Sequence, residues 1–241
     1  MNLILFDRAE LAAPLPRADP RAIHVVETLR MREGDRFDVG VVNGPRGKAQ
    51  IVSTDEVEIV LKFTLGVSSR PPDPLDVIVG LSRPQSARRI LHDASALGVR
   101  RIVFASTARS DPNYAASRLW SSGEWRRQLI DGAQQAFDTR IPEVIHNLPL
   151  AQAAAGAASG LRIAFDNYEA AAALPKLLRL QHTPPAEVTL AFGPERGWDA
   201  TDRELLRASG FGLASLGHRV MRVETAIVSA VAVVRAELDW A

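Results

Sequence analysis

Cysteine is absent from the 241 residues. That excludes disulfides, thiolate zinc sites and cysteine nucleophiles, and it fits a reducing compartment. An excess of one charge is missing too: 29 Lys and Arg stand against 28 Asp and Glu, a net of +1. The chain is therefore not coated in basic charge, although a local basic face remains open. Long apolar runs are also missing. Ala226 to Val234 is among the longest and contains Ser229, well short of the ~20 residues of a membrane span. The first residues, Met1 to Asp7, have a short apolar run without a basic flank, which does not read as a signal peptide. Together these features lead to the expectation of a soluble, cytoplasmic protein. No GxxxxGK[ST], no GxGxxG after a strand and no GxSxG occurs, which argues against a P-loop, a dinucleotide fingerprint and a nucleophile elbow. His24, His92, His146, His182 and His218 are scattered without ligand spacing, so no metal is expected.

What is present changes character near residue 70. The first part reads as short strands: Asn2 to Phe6, Phe37 to Val42, Lys48 to Ser53 and Val57 to Leu65, with a turn-rich loop at Asn43 to Gly47. A helical piece at Pro20 to Met31 carries Ile23, Val26 and Leu29 at helical spacing. Short strands around one helix suggest a small barrel. Gly66 to Pro74 holds three prolines and two serines and reads as a linker.

Beyond it the rhythm is α/β. Leu75 to Leu81 is a continuous apolar run, expected of a strand buried on both faces. Helices are expected at Gln85 to Leu97, within Ala116 to Phe137, near Ala151 to Ala158, at Thr201 to Ser209 and at Val223 to Trp240. Strands are expected at Arg101 to Ala105, Glu143 to His146, Leu161 to Asp166, Glu187 to Phe192 and Gly212 to Ser215. Thr201 and Glu204 form a capping-box pattern. Alternating elements imply a mostly parallel sheet covered by helices. The division that follows is 1–68 for the β part and 75–241 for the α/β part.

Two segments stand out, both at the carboxyl ends of late strands, where open α/β sheets bind ligands. Gly193-Pro194-Glu195-Arg196-Gly197-Trp198 follows Leu190-Ala191-Phe192. Leu216-Gly217-His218-Arg219-Val220-Met221-Arg222-Val223-Glu224-Thr225 follows Ala214-Ser215. The glycines permit close backbone approach, and Glu195 repels a phosphate, which favours a neutral or cationic ligand. Taken singly, each segment reads more readily as a strand-to-helix turn. The pair, within about thirty residues, is much more specific.

These two segments resemble the C-terminal signature of the 16S ribosomal RNA (uracil-N3)-methyltransferase family, part of the SPOUT superfamily of knotted methyltransferases. His24 to Met31 with Gly34-Asp35, Asn43-Gly44 with Gly47, Ala96-Leu97-Gly98-Val99, and Gln135 with Pro142 extend the likeness over nearly the whole chain. The resemblance implies a PUA-like β-barrel that binds RNA, followed by an α/β domain with a deep trefoil knot. It implies a knot pocket for S-adenosylmethionine and a homodimer, with ribosomal RNA or the small ribosomal subunit as partner. Carried over, Phe192, Gly193, Glu195, Gly197, Leu216, Gly217, Val220, Met221, Arg222 and Thr225 become the cofactor loops. The apolar Val223 to Val234 face becomes either a dimer surface or an internal packing face. The chain departs from the family pattern at Arg196, where glycine is usual, at Gln85 and Ser86, where lysines are usual and Arg83, Arg88 and Arg89 are nearby substitutes, and at Asp138.

The expected reaction is methylation of uridine N3 in small-subunit ribosomal RNA. N3 lies on the pairing edge, so the base must be unpaired or turned out. Arg222 or Arg219 would steady the negative charge on the uracil, and Glu195 and Glu224 are possible proton acceptors, with water as the alternative. RNA grip is expected from Arg30, Arg32, Arg46 and Lys48, with Arg109 and Arg140. Two rivals stay open: a SPOUT enzyme acting on transfer RNA or a ribose 2'-hydroxyl, and a non-catalytic RNA-binding assembly factor.

Overall fold

A computed structural model describes residues 3–240. The chain divides into two compact units. One runs to Pro71 and includes Ile130–Ile141; the other comprises Pro72–Leu129 and the chain from Pro142 onward.

In the first unit, strands β1 (Leu3–Phe6), β2 (Leu15–Pro16), β3 (Arg36–Val41), β4 (Arg46–Thr54) and β5 (Glu58–Val67) form one sheet in the order β1-β3-β4-β5-β2. Asn2, expected in the first strand, lies outside the described residues. The β1–β3 pair is parallel and the others are antiparallel. Ile4 of one edge strand and Leu15 of the other share a buried cluster with Phe37, Val39, Ile51 and Ile59. A sheet whose two edges meet one core must curl around it. Among the described residues β1 and β2 do not pair, so the expected barrel is an open half-barrel.

Helix α1 (Pro20–Ile23) fills the concave side with Ala22 and passes into a single π turn, His24–Thr28, carrying Val25. Asp19 caps it through the Arg21 N–H at 2.8 Å, with Pro20 in the first turn. On the other side of β1, Leu3 and Leu5 pack against Ala133, with Ile130 and Phe137 alongside. The Leu5 N–H donates to Gln134 Oε1 at 2.9 Å. Asp138, which breaks the family pattern, is used locally: its Oδ1 accepts the N–H groups of Thr139 and Arg140 at 2.6 and 3.1 Å. The linker begins later than its composition suggests. Gly66 and Val67 still belong to β5, and residues 68–74 form no regular element.

The second unit is a seven-stranded sheet. Its strands are β6 (Leu75–Gly80), β7 (Arg101–Ser106), β8 (Glu143–Pro149), β9 (Leu161–Phe165), β10 (Ala172–Ala173), β11 (Val188–Phe192) and β12 (Gly212–Ser215), in the order β10-β12-β9-β11-β6-β7-β8. Every pair is parallel. Every residue of β6 is buried, as an apolar run in a covered parallel strand should be. Helices α2 (Pro84–Ala96), α3 (Arg118–Ser121), α4 (Glu124–Gln135), α5 (Leu150–Ala155), α6 (Leu174–Arg179) and α7 (Ala200–Ala208) lie between the strands, and α8 (Val223–Leu238) follows the last of them. The last part of α4, from Ile130, counts with the first unit. Ala153, Ala154, Trp198 and Leu206 cover one face of the sheet above Ile78, Ala164 and Ala191.

Helix α8 packs on α2, α6 and β11. Its Ile227, Ala230, Val231 and Val234 are at most 1% exposed. The chain itself therefore covers these positions of the expected dimer face. At the amino ends of the strands, buried Asp76 accepts hydrogen bonds from Arg100 at 2.8 and 3.0 Å and from Arg101 at 2.8 Å, and Arg100 also reaches Glu187 at 2.6 Å.

The start of α7 corrects the sequence reading. The capping box is Asp199 with Asp202, not Thr201 with Glu204. Asp199 Oδ1 accepts the Asp202 N–H at 2.7 Å, and Asp202 returns a bond to the Asp199 N–H at 3.3 Å. The helix starts one residue earlier than expected, which leaves Thr201 and Glu204 exposed inside it. Asp199→Ala should therefore lower unfolding stability by about 1 kcal/mol, and Thr201→Ala by less than about 0.5 kcal/mol. Urea denaturation monitored by circular dichroism checks both.

Candidate active site

The central strands β6, β9, β11 and β12 end at one edge of the sheet, and the loops that leave them surround a cavity of about 600 Å³. Its inner wall comes from the strand ends themselves: Phe165, Phe192, Ala214 and Ser215. Phe165 and Phe192 are stacked, with ring centroids 4.6 Å apart.

The loop after β11 folds back on itself. A Cβ on Gly193 would lie 2.9 Å from Gly197 Cα, so only glycine fits there. Gly197 has φ +67°, the left-handed region that suits glycine, and its N–H closes a turn on Pro194 O at 2.7 Å. The turn delivers Trp198 into the core, where Nε1 donates to Phe165 O at 3.0 Å. Arg196 is exposed with negative φ and does not line the cavity. Its carbonyl accepts Arg109 Nη1 at 2.8 Å. An arginine is accommodated at this position without backbone strain and with its side chain outside the cavity.

Most of the residues expected at the site come together. Phe192, Gly193, Glu195 and Gly197 line the cavity from one loop; Leu216, Arg219, Val220, Met221, Arg222 and Glu224 line it from the other. Gly217, at φ +117°, shapes the second loop without lining the cavity. Thr225 is exposed outside it. The substitutes Arg83 and Arg89 do line it, together with Gln85 and Ser86 at the start of α2. Arg88 is held by Glu124 at 2.6 and 3.0 Å.

The charges divide into engaged and free groups. Glu195 Oε1 accepts the Arg83 N–H at 3.0 Å. Arg83 is the N-cap of α2 and has no side-chain cap of its own, so Glu195 supplies from a distant loop the carboxylate that a capping box would place within the helix. Glu224, buried in the first turn of α8, is paired with Arg89 at 3.1 Å. The side chains of Arg83, Arg219 and Arg222 make no ion pair or hydrogen bond among the described residues.

Of the residues expected to grip RNA, Arg46 donates to Phe137 O at 3.0 Å and lies over that ring at 5.3 Å, and Lys48 pairs with Asp38 at 2.7 Å. Arg140 is half-buried, with its Nε buried and unpartnered. Arg30 and Arg32 are exposed. Arg109, in the other unit, is exposed and tied to Arg196.

The loop after β9 was missed by the sequence reading. Asp166, Asn167 and Tyr168 line the cavity without any glycine to mark them. Asp166 Oδ1 accepts the N–H groups of Tyr168 and Glu169 at 2.8 and 2.6 Å, and Arg203 Nε donates to Oδ2 at 2.8 Å. Burial alone would raise the Asp166 carboxyl above the ordinary range. The Glu169 amide, the Arg203 guanidinium and the Tyr168 amide outweigh it and hold it below.

The family model for the RNA methyltransferase domain matches residues 69–235, so fold and site define an RNA methyltransferase. The ribosomal RNA small subunit methyltransferase E of Treponema pallidum is 31% identical over 98% of this chain and 91% of its own length. The crystal structure of a "probable rRNA-methyltransferase" from Porphyromonas gingivalis superposes with a TM-score of 0.81 at 20% identity, covering 100% of this chain and 99% of that one. The ribosomal RNA small subunit methyltransferase E of Neisseria gonorrhoeae, solved bound to S-adenosyl methionine, gives 0.76 at 20% identity over 98% and 97%. The chain belongs to the ribosomal RNA small subunit methyltransferase E family. No helix among the described residues is long and apolar enough to cross a membrane.

The Asp166–Arg203 pair gives a pH signature. A carboxyl held low when folded contributes stability that is present above its unfolded value, near 4, and is lost as pH falls through the folded value. Asp166→Asn should cost about 2 kcal/mol at pH 7, because Arg203 loses a charged hydrogen bond and keeps only the longer contact with Glu169 at 3.5 Å. The gap between wild type and variant should stay flat from about pH 5 to 8 and shrink below about pH 4. Urea titrations across that range measure it.

Proposed function

We propose that the cavity binds S-adenosylmethionine and that the enzyme methylates N3 of a uridine in small-subunit ribosomal RNA. The observation that carries the reading is the convergence of both glycine-bearing loops on one 600 Å³ cavity. The residues fit the cofactor: backbone is bare at Gly193 and Gly197, and the inner wall is aromatic at Phe165 and Phe192. The cofactor supplies an activated methyl group on its sulfonium.

The chain's own part is alignment and charge. Main chain of the two loops, bare at Gly197, would hold the adenine end. Arg222 and Arg219, cationic and unpartnered, steady the negative charge on the uracil once N3 has lost its proton. Glu195 keeps the first loop against α2 through the Arg83 N–H, and Glu224 is held by Arg89. With both carboxylates engaged, the N3 proton passes to water.

The expected RNA-binding half-barrel, with Arg30 and Arg32 exposed, belongs to the same reading. So does a trefoil knot, supported by the insertion of β11 between β6 and β9, strands that precede it in the chain. A homodimer belongs to it as well, with an interface built on residues other than Ile227, Ala230, Val231 and Val234.

Two experiments test this. Mass spectrometry of ribosomal and transfer RNA from a strain without the gene should show loss of N3-methyluridine from small-subunit RNA alone. Persistence of that nucleoside there rejects the reaction, and a loss from transfer RNA or at a ribose assigns another target. In the purified enzyme, Glu195→Gln keeps a carbonyl oxygen for the Arg83 N–H and should retain kcat within about threefold. Glu195→Ala should weaken cofactor binding about tenfold or more, the cost of a lost charged hydrogen bond. Equal collapse of kcat in both variants would instead make Glu195 the proton acceptor.

A further inference from the structure

Among the described residues, the two most exposed large apolar side chains border the same cavity: Tyr168 at 81% and Val220 at 79%. The backbone at Tyr168 is not loose. Asp166 accepts its N–H and the next one, and Arg203 anchors Asp166 from below while itself only 7% exposed. The Arg203 guanidinium carbon also lies 5.6 Å from the Tyr168 ring centroid. A buried ion pair therefore holds an aromatic ring at the rim of the cavity while most of the ring's surface faces water. The free arginines Arg83, Arg219 and Arg222 border the same cavity.

An open ring beside unneutralised cations matches the chemistry of single-stranded RNA, whose bases stack on aromatic faces and whose phosphates seek cations. A base leaving its neighbours loses stacking, and a fixed ring restores part of it. We propose that Tyr168 is the platform on which an RNA base stacks as it enters the cavity. This rests on the reading of the cavity as the methyl-transfer site and names how that site receives its substrate. Tyrosine suits the task because it presents a large face with few rotatable bonds.

Fluorescence anisotropy with a single-stranded oligouridylate and an abasic chain of equal length tests it. Wild type should prefer the base-bearing strand. Tyr168→Ala should weaken binding to that strand by about fivefold to a hundredfold, the span for one lost stacking contact, and abolish the preference. Its affinity for the abasic chain, and for S-adenosylmethionine by calorimetry, should hold within about twofold. Tyr168→Phe should keep the preference, since the ring rather than the hydroxyl is required. The proposal is overturned if wild type shows no preference, if Tyr168→Ala retains it, or if that variant weakens cofactor binding instead. A shift of sedimentation mass in Tyr168→Ala also overturns it, by placing the ring in a subunit interface. Failure of wild type to bind S-adenosylmethionine rejects the cofactor reading separately, because the base preference is measured without cofactor.

Discussion

At Gly193 and Gly197 two stretches of main chain lie against each other with no room for a side chain between them. That approach turns the chain back immediately after β11 and commits Trp198 to the core, where its indole N–H reaches Phe165 at the end of the neighbouring strand. The ends of β9 and β11 are thereby tied at the same level, their two phenylalanine rings stack, and a wall forms on which the second loop closes. A methyl group at Gly193 would press on main chain rather than on a flexible side chain, so relief would require the loop to move.

The sheet separates two tasks along its strands. At the amino ends, Asp76 is buried and shared between Arg100 and Arg101, with Glu187 drawn in by Arg100. Charge there is closed on itself and holds neighbouring strands in register. At the carboxyl ends Arg83, Arg219 and Arg222 have no side-chain partner among the described residues, while both nearby glutamates are engaged by residues at or near the start of α2.

Much of this was legible in the sequence for physical reasons. Parallel strands buried on both faces show as apolar runs, so β6, β7, β9 and β11 were readable to within a residue or two. Glycines that permit close approach mark both of the glycine-bearing loops that border the cavity. What escaped had weaker signals. Strand β2 has two residues and cannot show alternation. The α7 cap was misassigned because Asp199 to Glu204 contains two overlapping patterns of capping spacing, and only backbone geometry chooses between them. Asp166-Asn167-Tyr168 carries no glycine, and its role depends on Arg203, 37 positions away. An aspartate directly after a strand, followed by asparagine, is the local hint that was available. The apolar stripe of α8 was correctly seen, but periodicity does not say whether the chain itself or a second copy covers it.

The stacked phenylalanines at the inner wall have one more consequence. Among the residues that border the cavity, these two rings lie against each other, and Arg83, Arg219 and Arg222 carry charge. Placing a charge against the rings would strip its hydration without replacement. A ligand with one flat, weakly polar end and one ionic end therefore loses least hydration when its flat end lies against the rings. The cavity selects for molecular polarity before any individual hydrogen bond is made.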